Sequence, residues 1–304
     1  YGGGRELWLV SPMRLISGMS HLGEWENRVT AILDHAARKD RVLYFDDLLG
    51  LFSAGQSNAS DLTVAQVLKP ALTRRSVRIV AEITPEAWRI LRERDRAFAD
   101  LFHVIPLSEP PEADTLRVLI DVVRRLEQDQ ACRFDLEVIP AVYELHRRHA
   151  GDAAFPGKAA SFLQRLARRH TSGRISRETV LDEFHRVSGL QIALLDDRIA
   201  LDRASLLRQL RERITGQDHA LDAFADVLVP FKARLNDPRR PLGTLLLLGP
   251  TGVGKTESAK ALARLLFGSD ERLLRFDMNE FVDGVSTARL TGTPQSPDGL
   301  LTGA

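Results

Sequence analysis

The sequence predicts an α/β protein, built of parallel sheets with flanking helices plus a small all-helical subdomain, and three observations carry that expectation. Over the first hundred residues the short apolar runs Leu7 to Val10, Arg41 to Phe45 and Arg78 to Val80 alternate with amphipathic helical stretches; strands separated by helices pair in parallel. From Pro110 to about Leu201 such runs stop, and helical spacing takes over, as in Leu116 to Val123 and Ser161 to Leu166. From Gln217 a second α/β unit opens, in which Leu245 to Leu248 read as a strand buried on both faces, ahead of a glycine-rich turn and a helix.

At 304 residues, with 44% apolar and 27% charged residues, the chain has the length for about two globular domains. Lys and Arg number 42 against 41 acidic residues, and a net charge of +1 makes no electrostatic case for a nucleic-acid or membrane partner. The pairs Arg74-Arg75, Arg147-Arg148 and Arg168-Arg169 sit in helical stretches of mixed charge without interleaved aromatics, so they read as solvated helix faces. A single cysteine, Cys132, excludes an internal disulfide and suits a reducing compartment. No run of about 18 apolar residues and no secretion-signal order are present, so cytoplasm is the expected location. His146 and His149 are three apart with no third ligand nearby, and read as a surface pair, not a metal site.

The chemistry lies in Gly249-Pro250-Thr251-Gly252-Val253-Gly254-Lys255-Thr256, a GxxxxGKT pattern between the leucine run and the helix Glu257 to Leu266. Gly249, Gly252 and Gly254 let the backbone turn tightly enough to aim several N–H groups at one point. The positive end of the following helix dipole falls on the same point, which therefore attracts phosphate. Lys255 is expected to reach the β- and γ-phosphates of ATP, and the Thr256 hydroxyl to ligate Mg²⁺. The alternative is a glycine turn that binds nothing. Asp46 and Asp47 end the apolar strand Arg41 to Phe45, where nucleotide hydrolases place one acid on Mg²⁺ and the next on the attacking water; they fit equally a helix cap and a solvated neighbour. No phosphate loop precedes them, since Tyr1-Gly2-Gly3-Gly4-Arg5 lacks the lysine and hydroxyl.

Several segments, in order, resemble the tandem-ring Clp branch of the AAA+ ATPases. Gly18 to Arg28 is similar to that family's first-ring pore-loop segment, Phe45-Asp46-Asp47 falls at its Walker B acids, Val67 to Leu72 resembles its NLLKPAL helix, and Phe155 to Ala159 its LPDKA lid motif. Ile214-Thr215-Gly216-Gln217 resembles the VIGQ segment, which implies that Ile214 and Thr215 lie against adenine. Leu235 to Phe267 and Phe276 to Phe281 resemble the start of the family's second module. The resemblance implies three parts: 1–108, a degenerate first AAA+ large subdomain; 109–201, its helical lid; and 202–304, the N-terminal part of a second AAA+ module with the phosphate loop. It further implies an ATP-binding unfoldase or remodelling chaperone that forms a ring, most simply a hexamer, and acts on a polypeptide.

Departures from the family pattern fall mainly in the first module. His21 replaces the aromatic that grips polypeptide, Asp47 the longer Walker B glutamate, Ala153 an arginine of the lid motif, and Ile83 lies near a polar sensor position beside Thr84. Asp100 and Leu101 stand where paired arginines reach a neighbour's γ-phosphate, and a carboxylate there repels phosphate. A module retained for assembly and a nucleotide-dependent scaffold with little hydrolysis are therefore both open. Gln295 to Thr302 lacks the aromatic pore loop of the second ring, and Ala304 precedes that module's own acids, sensor and arginine finger, which points to a segment of a longer protein. No long heptad insertion separates the modules, as in relatives without a coiled-coil middle domain.

Overall fold

The computed structural model describes residues 6–18, 23–56, 62–150, 153–237, 240–292 and 299–301. The expected features at Tyr1 to Arg5, His21 and residues 293–298 lie outside these. The chain divides into two compact units, Tyr1–Pro106 with Phe281–Ala304, and Leu107–Glu280.

The first unit runs β1 (Leu7–Leu9), α1 (Pro12–Ile16), α2 (Glu24–Arg38), β2 (Val42–Phe45), α3 (Val64–Thr73), β3 (Arg78–Ala81), α4 (Pro85–Arg94) and α5 (Arg96–Ala99). The three expected strands form one parallel sheet in the order β1-β2-β3, with Leu9, Tyr44 and Val80 in register. Alternation decides which face is buried: Leu43 and Phe45 are almost wholly enclosed, whereas Leu9 and Val80, on the opposite face, are 68% and 50% exposed. Helix α2 contributes Val29, Leu33 and Ala36 to the core, the spacing of one helical stripe. Helix α3 starts where it does because Thr63 and Gln66 form a capping box, each side chain bonding the other's backbone N–H at 3.3 and 3.0 Å.

The second unit contains α6 (Glu112–Asp129), β4 (Ala131–Phe134), α7 (Val138–His149), α8 (Gly157–Arg169), β5 (Ser172–Ile175), α9 (Arg177–Ser188), α10 (Ile192–Leu195), α11 (Arg203–Arg211), α12 (Asp218–Lys232) and α13 (Lys255–Phe267). The expectation of an all-helical subdomain between 109 and 201 is corrected here, because β4 and β5 pair in parallel, with Cys132 opposite Gly173 and Phe134 opposite Ile175. Each strand is four residues long and Ser172-Gly173-Arg174-Ile175 holds one apolar side chain, so neither run shows a period of two. Cys132 and Ile175 are fully buried.

The histidine pair also differs from expectation. His146 is 5% exposed, its Nδ1 lies 2.8 Å from the Val142 carbonyl oxygen, and its ring meets Phe162 and Phe184 edge-on. His149 packs between Phe184 and Phe231, and its Nε2 is buried without a hydrogen-bond partner. Burial pushes both rings down to a pKa of about 4, so both are neutral at pH 7. His146 is a core residue and His149 a half-buried one against the same phenylalanine, and among the described residues no group of His, Cys, Asp or Glu is placed to hold a metal ion.

Helices α11, α12 and α13 share a core of Leu207, Leu210, Ile214, Leu221, Phe224, Ala225 and Ala261. The fully buried strand expected at Thr244 to Leu248 is not formed. Leu246 and Leu248 are 88% and 93% exposed, and only Leu247 turns toward that core. A strand is stabilised by ladder bonds to a neighbour, and among the described residues no strand lies beside this run. Helix α14 (Gly284–Thr291), capped by Asp283 with Ser286, belongs to the first unit.

Candidate nucleotide-binding site

The glycine loop folds as its composition requires. Gly252 and Gly254 have φ of +88° and +96°, where a side chain would strain the backbone, and a Cβ at either would meet nothing within 4 Å, so the ground in front of the loop is open. Gly249 is favoured for a different reason: a Cβ there would sit 3.1 Å from Cγ2 of Val253, a tight approach. Gly254 caps α13, so the unpaired N–H groups of the first helical turn and the positive end of the dipole open on the same side.

Lys255 begins the helix, and its Nζ donates to the carbonyl oxygens of Gly249 and Pro250, both at 2.7 Å. The ammonium is held over the loop it is expected to serve. Thr256 follows at the exposed helix start, with Pro250, Thr251 and Val253 exposed along the rim. A triphosphate fits this donor set: free amides, a dipole, a lysine and a hydroxyl that can face Mg²⁺, around glycines that leave room.

The expected adenine segment comes to the same place. Ile214 is 8% exposed in the core shared by α11, α12 and α13, while Thr215 is exposed beside it. The turn continues through Gly216 and Gln217, both with positive φ, and Gln217 Nε2 donates to the Val253 carbonyl oxygen at 3.1 Å. The motif alone assigns Gln217 no task; the signal in the sequence is an amide following a glycine at a helix start.

Asp46 and Asp47 stand exposed at the end of β2, in the first unit. Asp47 Oδ1 accepts the Gly50 N–H at 2.9 Å, the local cap that was the alternative to a catalytic role. Beside them Tyr44 donates its hydroxyl to Glu82 Oε1. That hydrogen bond first, then burial and the negative charges of Glu82 and Asp46, hold the Tyr44 hydroxyl protonated above its ordinary range. At the expected finger position Asp100 ends α5, 3.9 Å from Arg96. Thr84 is committed as the cap of α4, accepting from Ala87 N at 3.2 Å.

The model of an AAA domain (Cdc48 subfamily) matches residues 240–300, which contain the loop. Among curated proteins, the chain is 28% identical to the chloroplastic chaperone protein ClpD of Arabidopsis thaliana over 92% of its own length and 38% of that protein's. It is 30% identical to a ClpA homolog protein of Fuscovulum blasticum, over 92% of the chain and 36% of that protein. The chain is Clp-like, with an AAA+ fold. An Hsp104–ADP complex of S. cerevisiae superposes with a TM-score of 0.66 at 24% identity, over 94% of this chain and 50% of that one, a likeness that shows the fold. This Clp-like chain spans well under half the length of these curated relatives. The AAA match implies a bound nucleotide. In the ClpA homolog the matched span runs over 291 residues and in the Aquifex aeolicus ClpB over 404, so the latter carries residues inside the span that this chain lacks.

Proposed function

We propose that this chain is part of an ATP-driven, ring-forming Clp-like unfoldase or remodelling ATPase whose nucleotide is held by the second module. In this proposal residues 1–108 are a decayed first large subdomain, 109–201 its lid and 202–304 the start of the second module. The observation that carries it is the conjunction of an open, glycine-turned loop, Lys255 above it and the Ile214-Thr215 segment tied to it through Gln217. Gly249 to Thr256 hold the phosphates, Thr256 ligates Mg²⁺, and Ile214 and Thr215 flank adenine. The bound Mg²⁺ supplies charge neutralisation across the phosphates. The residues of this chain bind and orient: amide donors fix the phosphate oxygens, and Lys255 exchanges its two carbonyl partners for phosphate oxygens.

Relatives named as chaperones, and an Hsp104 structure solved with casein, support a polypeptide as substrate, and a ring as working form is part of the proposal. A cytoplasmic location is part of the proposal, as is the absence of nucleic-acid and membrane partners; among the described residues no helix is long and apolar enough to cross a membrane. A second reading, a nucleotide-dependent scaffold with little hydrolysis, is favoured by the commitment of Asp47 to the Gly50 N–H and by Asp100 at the finger position. Titration with a fluorescent ATP analogue tests the proposal. Lys255→Ala is expected to abolish saturable binding while leaving the melting temperature of the free protein within about 2 °C, and unchanged affinity in that variant overturns it. Phosphate release by the full-length assembly then separates the motor from the scaffold.

A further inference from the structure

Gln217 is a costly residue where it stands. It caps α12 with φ +60° and ψ +32°, in the left-handed region that a glutamine enters only against steric strain. Gly216 immediately before it also has positive φ, so the chain makes two consecutive left-handed steps and delivers the side chain to the phosphate loop 36 residues away in sequence. Its amide donates to one acceptor there, the Val253 carbonyl oxygen. A glycine would adopt the same backbone without strain, yet would have no side chain to reach the loop.

The recipient of that bond matters because of peptide geometry. The Val253–Gly254 peptide is trans, since the one cis bond among the described residues is Phe155-Pro156. In a trans peptide the carbonyl of one residue and the N–H of the next point in opposite directions. Holding the Val253 carbonyl toward Gln217 therefore turns the Gly254 N–H away from it. Gly254 bounds this plane on one side with positive φ and nothing within 4 Å of where its Cβ would be, while on the other side Val253 packs by Cγ2 near Gly249, a contact of its side chain that leaves the carbonyl itself unheld. The external constraint that the structure does supply is the glutamine amide.

We infer that Gln217 is a positioning residue of the nucleotide site: by fixing the Val253 carbonyl it aims the Gly254 N–H at the phosphates, and it links the adenine-side segment Ile214-Thr215 to the phosphate loop. This rests on the nucleotide reading above. Base contact at Ile214 and Thr215 and phosphate contact at the loop are thereby coupled, because movement of the 214–217 turn withdraws the amide and frees the peptide plane.

Two variants and two readouts test this. Gln217→Gly relieves the left-handed strain and removes the donor, and Gln217→Glu keeps length and shape but presents a carboxylate that cannot donate. The backbone order parameter of the Gly254 N–H is measured by NMR in the nucleotide-free protein, and affinity is measured for a fluorescent ADP analogue with Mg²⁺. Both variants are expected to lower that order parameter to below about 0.6 and to weaken binding by about tenfold, the loss of roughly one hydrogen bond, with Gln217→Gly as thermally stable as the parent or more so. A merely structural glutamine predicts instead that Gln217→Gly is stabilised with the Gly254 order parameter and affinity unchanged, and that result overturns the inference. A loosened Gly254 N–H in both variants of a protein that binds no nucleotide would sustain the clamp and sink the nucleotide reading.

Discussion

His146 and His149 show how a residue's surroundings set its chemistry. Both rings pack against phenylalanines and are held neutral, with pKa values near 4 where an unfolded chain has about 6.5. As pH falls below 6.5 the unfolded state takes up protons that the folded state refuses. The stability they contribute is whole above pH 6.5, drains away between 6.5 and 4, and levels off below, with about 3 kcal/mol at stake for His146 alone. His149 has a buried Nε2 with no partner, so His149→Leu is expected to match or exceed the parent at pH 7.5 and to lose distinctly less stability by pH 5. Urea midpoints across that range check it; a variant with the parent's pH slope refutes the assignment. The burial was illegible in the sequence, because a three-residue spacing next to Arg147 and Arg148 describes a surface helix equally well. The two arginines resolve the matter: they reach Glu144, and Arg148 also Asp197, with the heads paired at the margin while the rings turn inward.

At the level of elements, sequence periodicity found what local sequence specifies. The strands β1, β2 and β3 follow the runs read for them, and α13 begins at Lys255 because Gly254 ends the turn. What failed were elements that depend on a neighbour. Strands β4 and β5 are too short to show alternation, and each exists through its partner. The leucine run has the composition of a central strand, but composition supplies no ladder, so Leu246 and Leu248 stay in solvent. Replacing both by Ser is therefore expected to change the stability of this chain by less than about 0.5 kcal/mol, whereas Leu247→Ser costs more than about 1 kcal/mol through the α11–α13 core. Denaturant melts compare them. A large loss from the Leu246 and Leu248 replacements would show that those side chains are covered. The candidate site was more legible than the fold around it: each residue of the phosphate loop could be named from its motif, while the Gln217 bond depends on a tertiary approach that no spacing encodes.

On the scale of the whole molecule, the two units differ in what they offer to chemistry. The unit that contains the phosphate-loop helix presents open amides and a poised lysine. The unit with Asp46 and Asp47 presents carboxylates, one already engaged as a cap, and no glycine cradle among its described residues. Such asymmetry predicts that Asp47→Asn changes ATP turnover of the full-length assembly by less than about twofold. A steady-state phosphate-release assay reads this directly, and loss of turnover on the scale of a catalytic residue, ~10²-fold or more, would return a working site to the first module.

One buried atom gives a practical handle on these motions. The sulfur of Cys132 lies fully enclosed beneath the β4–β5 pair, and burial raises its thiol pKa, so an alkylating reagent reaches it only when that layer parts. Because the chain has no other thiol, the pace of modification clocks a single event, the transient opening of the small sheet, with no engineered label required.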